Sequence, residues 1–103
     1  MRRQRLTEMA THELKIHSIY FEAVKAGTKT FELRRNDRNY QVGDQLILQE
    51  WEASTEQYSG DELYMEVTYI LEGGFGLKKG YCVLSIKPMD EDAHRDDRLR
   101  TPK

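Results

Sequence analysis

Apolar and polar residues alternate in several short runs along this chain, and only one run departs from a period of two. "HELKIH" places Leu14 and Ile16 on one side of an extended segment, which predicts a short strand. "SIYFEAVKAG" shifts to helical spacing, with Tyr20, Ala23 and Val24 on one face. Ser18 is placed to cap its start, Glu22 lies where the helix dipole favours an acid, and Gly27 suits the left-handed position after the last turn. A helix of about two to three turns is expected. "TKTFELR" returns to period two: Phe31 and Leu33 point one way, toward a core, and Thr30, Glu32 and Arg34 point the other. "RNDRN" is a turn, since Asn and Asp tolerate unusual backbone angles. "QVGDQLILQEWE" runs from a turn into a strand with Leu46 and Leu48 on one side, Ile47 and Trp51 on the other. "ASTEQYSGD" reads as a hairpin loop, and "ELYMEVTYILE" as a long strand with Met65, Val67, Tyr69 and Leu71 on one face. After the glycine-rich loop "GGFGLKKG", the strand "YCVLSIK" aligns Cys82, Leu84 and Ile86.

The resulting order, β-α-β-β-β-β, predicts an α+β fold that is mostly β. One short helix lies between the first two of about five strands, and a small barrel, closed or partly open, protects the sheet edges. A chain of 103 residues suits one domain. Residues 1–11 are expected to be a flexible arm and residues 12–87 the folded domain. Residues 88–103, polar and charge-mixed from Pro88 onward, are expected to be a disordered tail.

Charge changes the picture through its distribution. Sixteen Lys and Arg against eighteen Asp and Glu give a formal net charge of -2, so a strongly basic nucleic-acid binder is not the default. Residues 1–38 nevertheless hold nine Lys or Arg against five acids, and residues 39–77 hold eight acids and no Lys or Arg. A local basic patch on a mildly acidic protein is the expectation. Cys82 is the sole cysteine, so no internal disulfide forms and no oxidising compartment is needed. Together with His12, His17 and His94 it makes no metal-ligand spacing, so no metal or cofactor is expected. The apolar runs are too short to cross a bilayer, and "MRRQRLTEMATHE" lacks the apolar stretch of a secretory signal. A cytoplasmic monomer without a membrane partner is expected.

The candidate chemistry gathers around Lys29, Glu32 and Arg34. Spacing of two puts Glu32 and Arg34 on one strand face, and the helix-to-strand junction can turn Lys29 toward them. A guanidinium fork, a carboxylate acceptor and an ammonium converging beside a helix end suit a small, polar, planar ligand such as a nucleobase or a phosphate. The competing reading is an ion pair on a solvated sheet face. Arg35 and Arg38, in the following turn, are candidates for phosphate contacts, or else members of a polar turn. "GGFGLKKG" matches no phosphate-binding loop. It reads as a tight connection with Phe75 or Leu77 tucked onto the barrel end; the alternative has Phe75 stacking on a base with Lys78 and Lys79 near phosphates. Cys82, inside an apolar alternation, reads as a buried small hydrophobe, and no Ser-His-Asp or Cys-His context is present.

"GTKTFELR" has the form G-x-K-x-x-E-x-R, which resembles the motif of ASCH domains, a branch of the PUA-like superfamily. The wider stretches "HELKIHSIYFEAVKAGTKTFELRRNDRNYQVGDQLIL" and "YILEGGFGLKKGYCVLSIK" resemble a small bacterial and phage family of unknown function placed in that branch. The resemblance covers residues 12–87. It implies a small β-barrel with a cleft beside the first helix, lined by Lys29, Glu32 and Arg34, and recognition of RNA or a modified nucleotide. Some ASCH proteins resemble amidohydrolases that deacetylate an acetylated cytidine, such as N4-acetylcytidine. Lys29 matches their lysine, and Lys29 and Glu32 would be the catalytic pair. However, Glu32 stands where those proteins carry a catalytic threonine, and their further acid lies in a helical insertion that this chain replaces with "EGGFGLKKG". A binding module, an amidohydrolase acting on an acylated nucleoside and a protein-interaction or structural domain are the three readings carried forward.

Overall fold

The alternating runs pair into one mixed sheet. The computed structural model describes residues 9–89; residues 1–8 and 90–103, which hold most of the expected arm and tail, lie outside the described residues. The elements are β1 (Thr11–His17), α1 (Ser18–Ala26), β2 (Phe31–Arg35), β3 (Gln45–Glu52), β4 (Gln57–Leu71) and β5 (Tyr81–Pro88), in the order the pattern predicts. The strands lie in the order β1-β3-β4-β5-β2; β1 runs parallel to β3, and every other neighbouring pair is antiparallel. The sheet curls into a half-barrel with β1 and β2 as its edges. No helix among the described residues is long and apolar enough to cross a membrane.

The core fills the concave side. Leu14 and Ile16 of β1, Leu46 and Leu48 of β3, Met65 and Val67 of β4, and Cys82, Leu84 and Ile86 of β5 form one buried cluster, as their alternation predicts. The central strand β3 also buries Ile47 on the opposite face. Helix α1 adds Phe21 and Val24. Tyr20, expected on the buried face, is exposed, because a nine-residue helix over a curved sheet meets it along the single i, i+3 row of Phe21 and Val24. The cap position belongs to His17, without a side-chain bond; Ser18 is the first helical residue and donates to the Trp51 carbonyl at 3.2 Å. The first turn holds no acid, so Glu22 lies past the reach expected of it. Gly27 does take the left-handed conformation (φ 86°), and its N–H donates to the Val24 carbonyl at 3.0 Å.

Four departures from the pattern shape the rest of the molecule. In β2 the expected faces are reversed: Phe31 and Leu33 are 45% and 53% exposed, whereas Glu32 is 4% exposed. In β4 the strand starts at Gln57, so the expected loop shrinks to a turn over residues 53–56. The hairpin ladder continues through Trp51 opposite Tyr58, whose rings meet edge to face at 4.9 Å. Further along β4 the register shifts between Val67 and Tyr69. This bulge flips the parity, so Tyr69 faces solvent and Ile70 packs on the core instead. Phe75 is not tucked onto the barrel end but 93% exposed, on a left-handed backbone (φ 55°); Leu77 is half-buried.

A second buried acid anchors the start of the sheet. Asp44, fully buried, accepts the N–H of Ala10 on Oδ1 at 3.0 Å and that of Gln41 on Oδ2 at 3.0 Å. The same Oδ2 faces His12 Nε2 at 2.8 Å, and the Tyr40 ring closes over His12 with centroids 4.8 Å apart. The "GD" turn therefore ties the beginning of β1 to the beginning of β3. Replacement by Asn would point an amide donor at groups that need an acceptor. Asp44→Asn is expected to lose about 2–4 kcal/mol of stability in urea denaturation. Burial, reinforced by the Glu72 and Asp37 carboxylates, holds the Cys82 thiol above its ordinary pKa. At neutral pH a thiol reagent is expected to label Cys82 only as fast as the domain opens, and rapid labelling of the native state would contradict this packing.

Candidate functional site

The α1–β2 junction brings Lys29, Glu32 and Arg34 together. The Lys29 N–H is still tied to the Ala23 carbonyl at 3.1 Å, so the chain turns tightly after Gly27 before β2 begins. From that position Lys29 Nζ donates to the Phe31 carbonyl at 2.6 Å and to Glu32 Oε1 at 2.9 Å. Arg34, two residues along the same face, donates through Nη2 to Glu32 Oε2 at 3.4 Å and to the Lys15 carbonyl on β1 at 2.7 Å. A buried carboxylate is costly unless it is paired and hydrogen-bonded. Here each oxygen of Glu32 faces a cation. That pairing is the physical reason β2 turns its charges inward and its apolar residues outward.

The other two candidate cations stand apart from this cluster. Arg38 Nη1 donates to the Glu13 carbonyl at 3.2 Å. Arg34 and Arg38 thus reach alternate carbonyls of β1, and side chains bridge the two sheet edges that no ladder joins. Arg35 lies on the outer face of β2, with its guanidinium 5.4 Å from the centre of the Tyr81 ring. Lys78 Nζ approaches the same ring at 5.6 Å.

Two adjoining depressions flank Glu32. One, of about 320 Å³, is lined by Tyr20, Lys29, Phe31, Glu32 and Leu33. The other, of about 270 Å³, is lined by Lys15, Ile16, His17, Tyr20, Glu32, Leu33 and Arg34. They share Tyr20, Glu32 and Leu33, and so form one cleft between α1, β1 and β2. Lys29 Nζ lies 4.7 Å from the Phe31 ring centre and 5.6 Å from that of Tyr20. Phe31 and Leu33 are the lining residues that alternation assigned to the core, and Tyr20 the one that helical spacing placed on the buried face. The signal that locates them is the motif itself: if Glu32 and Arg34 face inward, period two sends Phe31 and Leu33 outward.

Chemically, the floor offers donors beside an acceptor. A carboxylate has lone pairs beyond the two used here, an ammonium has three protons, and Arg34 has donors besides Nη2. Aromatic and aliphatic walls rise above that floor. Among the described residues, no group of three or more His, Cys, Asp and Glu is arranged to hold a metal ion.

Comparison with known proteins places this architecture in a family. A protein of Escherichia phage P2, "Uncharacterized 12.9 kDa protein in GpA 3'region", is 55% identical over 40 residues, which is 39% of this chain; the chain covers 37% of that relative's length. A family model described as "Domain of unknown function (DUF3850)" matches residues 11–86, from the first residue of β1 into β5. Because that match takes in the helix, the Lys29–Glu32–Arg34 cleft and all of the sheet but the last two residues of β5, the chain belongs to the DUF3850 family.

Proposed function

We propose that this protein is a binding module for RNA or a nucleotide, and that the cleft between α1 and β2 takes a nucleobase. The observation that carries the reading is the division of labour on β2: charged groups at the cleft floor, and exposed Phe31 and Leu33 at its walls with Tyr20 opposite. A flat ring would stack against the aromatic walls while its polar edge meets the floor. Glu32 accepting beside Lys29 donating complements an edge that carries an amino group next to a ring nitrogen. Arg35 and Arg38 would neutralise phosphate on either side of β2. The resemblance to ASCH domains, and through them to PUA-like barrels, supports the same reading by analogy.

The amidohydrolase alternative draws less support from the geometry. Both oxygens of Glu32 already face cations, which suits orienting a ligand better than taking up a proton from water. Incubation with N4-acetylcytidine at high protein concentration is expected to yield no cytidine. Turnover abolished by Lys29→Ala would replace the binding reading with a catalytic one.

The direct test is a chemical-shift titration of labelled protein with nucleosides, nucleotides and short single-stranded RNAs. Saturable shifts are expected at residues 27–38, and Lys29→Ala and Arg34→Ala are each expected to weaken binding about tenfold or more. Equal affinity in both variants, or no shifts in that segment, would overturn the proposal. Glu32→Gln tells a structural role from a recognition role. Its partners Lys29 and Arg34 reach solvent, so the expected cost is about 1–3 kcal/mol, a loss the domain survives.

A further inference from the structure

The outer face of the sheet is mixed over β1, β3 and the early part of β4. There the polar row Lys15–Gln49–Glu62 lies beside buried Ile47 and beside the Trp51–Tyr58 pair, with Lys15 Nζ 4.0 Å from the Trp51 ring centre. Over β2, β5 and the end of β4 the rows read Phe31–Ser85–Tyr69 and Leu33–Val83–Leu71, followed by Arg35 opposite Tyr81. These positions lie back to back with core residues: Glu32, Leu84 and Ile70 point the other way. Tyr69 is 63% exposed, and the bulge after Val67 is what turns it and Leu71 to this side. The result is an apolar, partly aromatic face on three adjacent strands, a kind of patch that marks an interaction surface.

The charges around the patch indicate its partner. None of the residues in these rows is acidic, and the patch is fringed by cations: Lys29 over the Phe31 ring, Arg35 and Lys78 over the Tyr81 ring, and Lys79 in the same loop. The acids next in sequence stand outside the rows, Glu72 after Leu71 and Glu66 opposite Lys87 at 4.0 Å. A second copy of the chain would set this cationic fringe against itself with no acid in the rows to meet it. A polyanion that carries flat apolar rings satisfies both the fringe and the patch.

We propose that this face is a stacking platform for single-stranded nucleic acid, continuous with the cleft at Phe31 and Leu33. The proposal rests on the cleft reading for the nucleobase at that end and extends it from one nucleotide to a strand. Bases lie on Phe31 and Tyr69, which stand two strands apart, about 10 Å at the usual strand spacing. Arg35, Lys78 and Lys79 take the phosphates. Arg35 lies about 13 Å along β2 from Phe31, so the strand crosses the sheet rather than ending in the cleft. Base stacking of this kind tolerates any sequence.

The test compares nucleoside monophosphates with uridine and thymidine oligomers of about eight nucleotides, a length within the range small barrels cover. Binding is read by fluorescence anisotropy and chemical shift, and self-association by sedimentation. The oligomers are expected to bind more tightly than the monophosphates. Tyr69→Ala is expected to weaken oligomer binding about tenfold or more while leaving monophosphate shifts at residues 27–38 unchanged. Oligomers that bind no better than monophosphates would overturn the platform and leave the cleft standing. Oligomer binding that needs Tyr69 but not Lys29, with no monophosphate shifts, would support the platform and overturn the cleft reading. A dimer dissociated by Tyr69→Ala would overturn the platform in favour of a protein interface. Tighter binding of the uridine or of the thymidine oligomer assigns the strand to RNA or DNA.

Discussion

Glu32, buried between Lys29 and Arg34, decides which side of β2 faces the core. A slip of one residue would bury Phe31 and Leu33 and expose the charges, the arrangement hydrophobicity alone favours. It would also undo both ion pairs and pull Arg34 away from the Lys15 carbonyl. The observed register keeps those contacts and leaves two large apolar side chains outside. The cleft walls, the bridge to β1 and the apolar outer rows all follow from that choice. The same carboxylate is therefore a packing element and the floor of the candidate site.

Asp44 plays the complementary part at the other end of β1. It binds the backbone just before β1, at Ala10, and that of the turn leading into β3, at Gln41, so the start of β1 cannot drift along β3. Arg34 and Arg38 hold the outer edge of the same strand. One wall of the cleft thus comes from a strand fixed on two sides, whereas the opposite wall is a short helix that meets the sheet through Phe21 and Val24. Any adjustment to a ligand falls to the helix side, where Tyr20 projects.

Much of this was legible in the sequence, and the misses share a physical cause. The order of elements, the inward faces of β1 and β5, the left-handed Gly27 and the convergence of Lys29, Glu32 and Arg34 all follow from local pattern and spacing. The inward face of β2 did not, because alternation sorts residues by polarity and cannot weigh a carboxylate paired by residues on both sides of it. Tyr69 was misplaced because a bulge adds a residue without any change in composition. The extended start of β4 was hidden because "QYSG" is poor in strand formers, and pairing with β3 supplies what propensity lacks. Asp44 looked like turn punctuation because its three partners are ten or more residues away or lie in backbone.

The bridging arginines have a consequence beyond this chain's own closure. An open sheet edge offers carbonyls on which a strand from another molecule can template itself, the first step toward fibril growth. On β1 the carbonyls of Glu13 and Lys15 are already occupied by guanidinium groups, with bulky charged side chains lying across the edge. Lysine would retain the charge but not the planar fork, so an Arg-to-Lys exchange at either position would leave a gap a stray strand could enter. The two residues that let a half-barrel stay open at its seam are also what keeps that seam from recruiting its neighbours in a crowded cell.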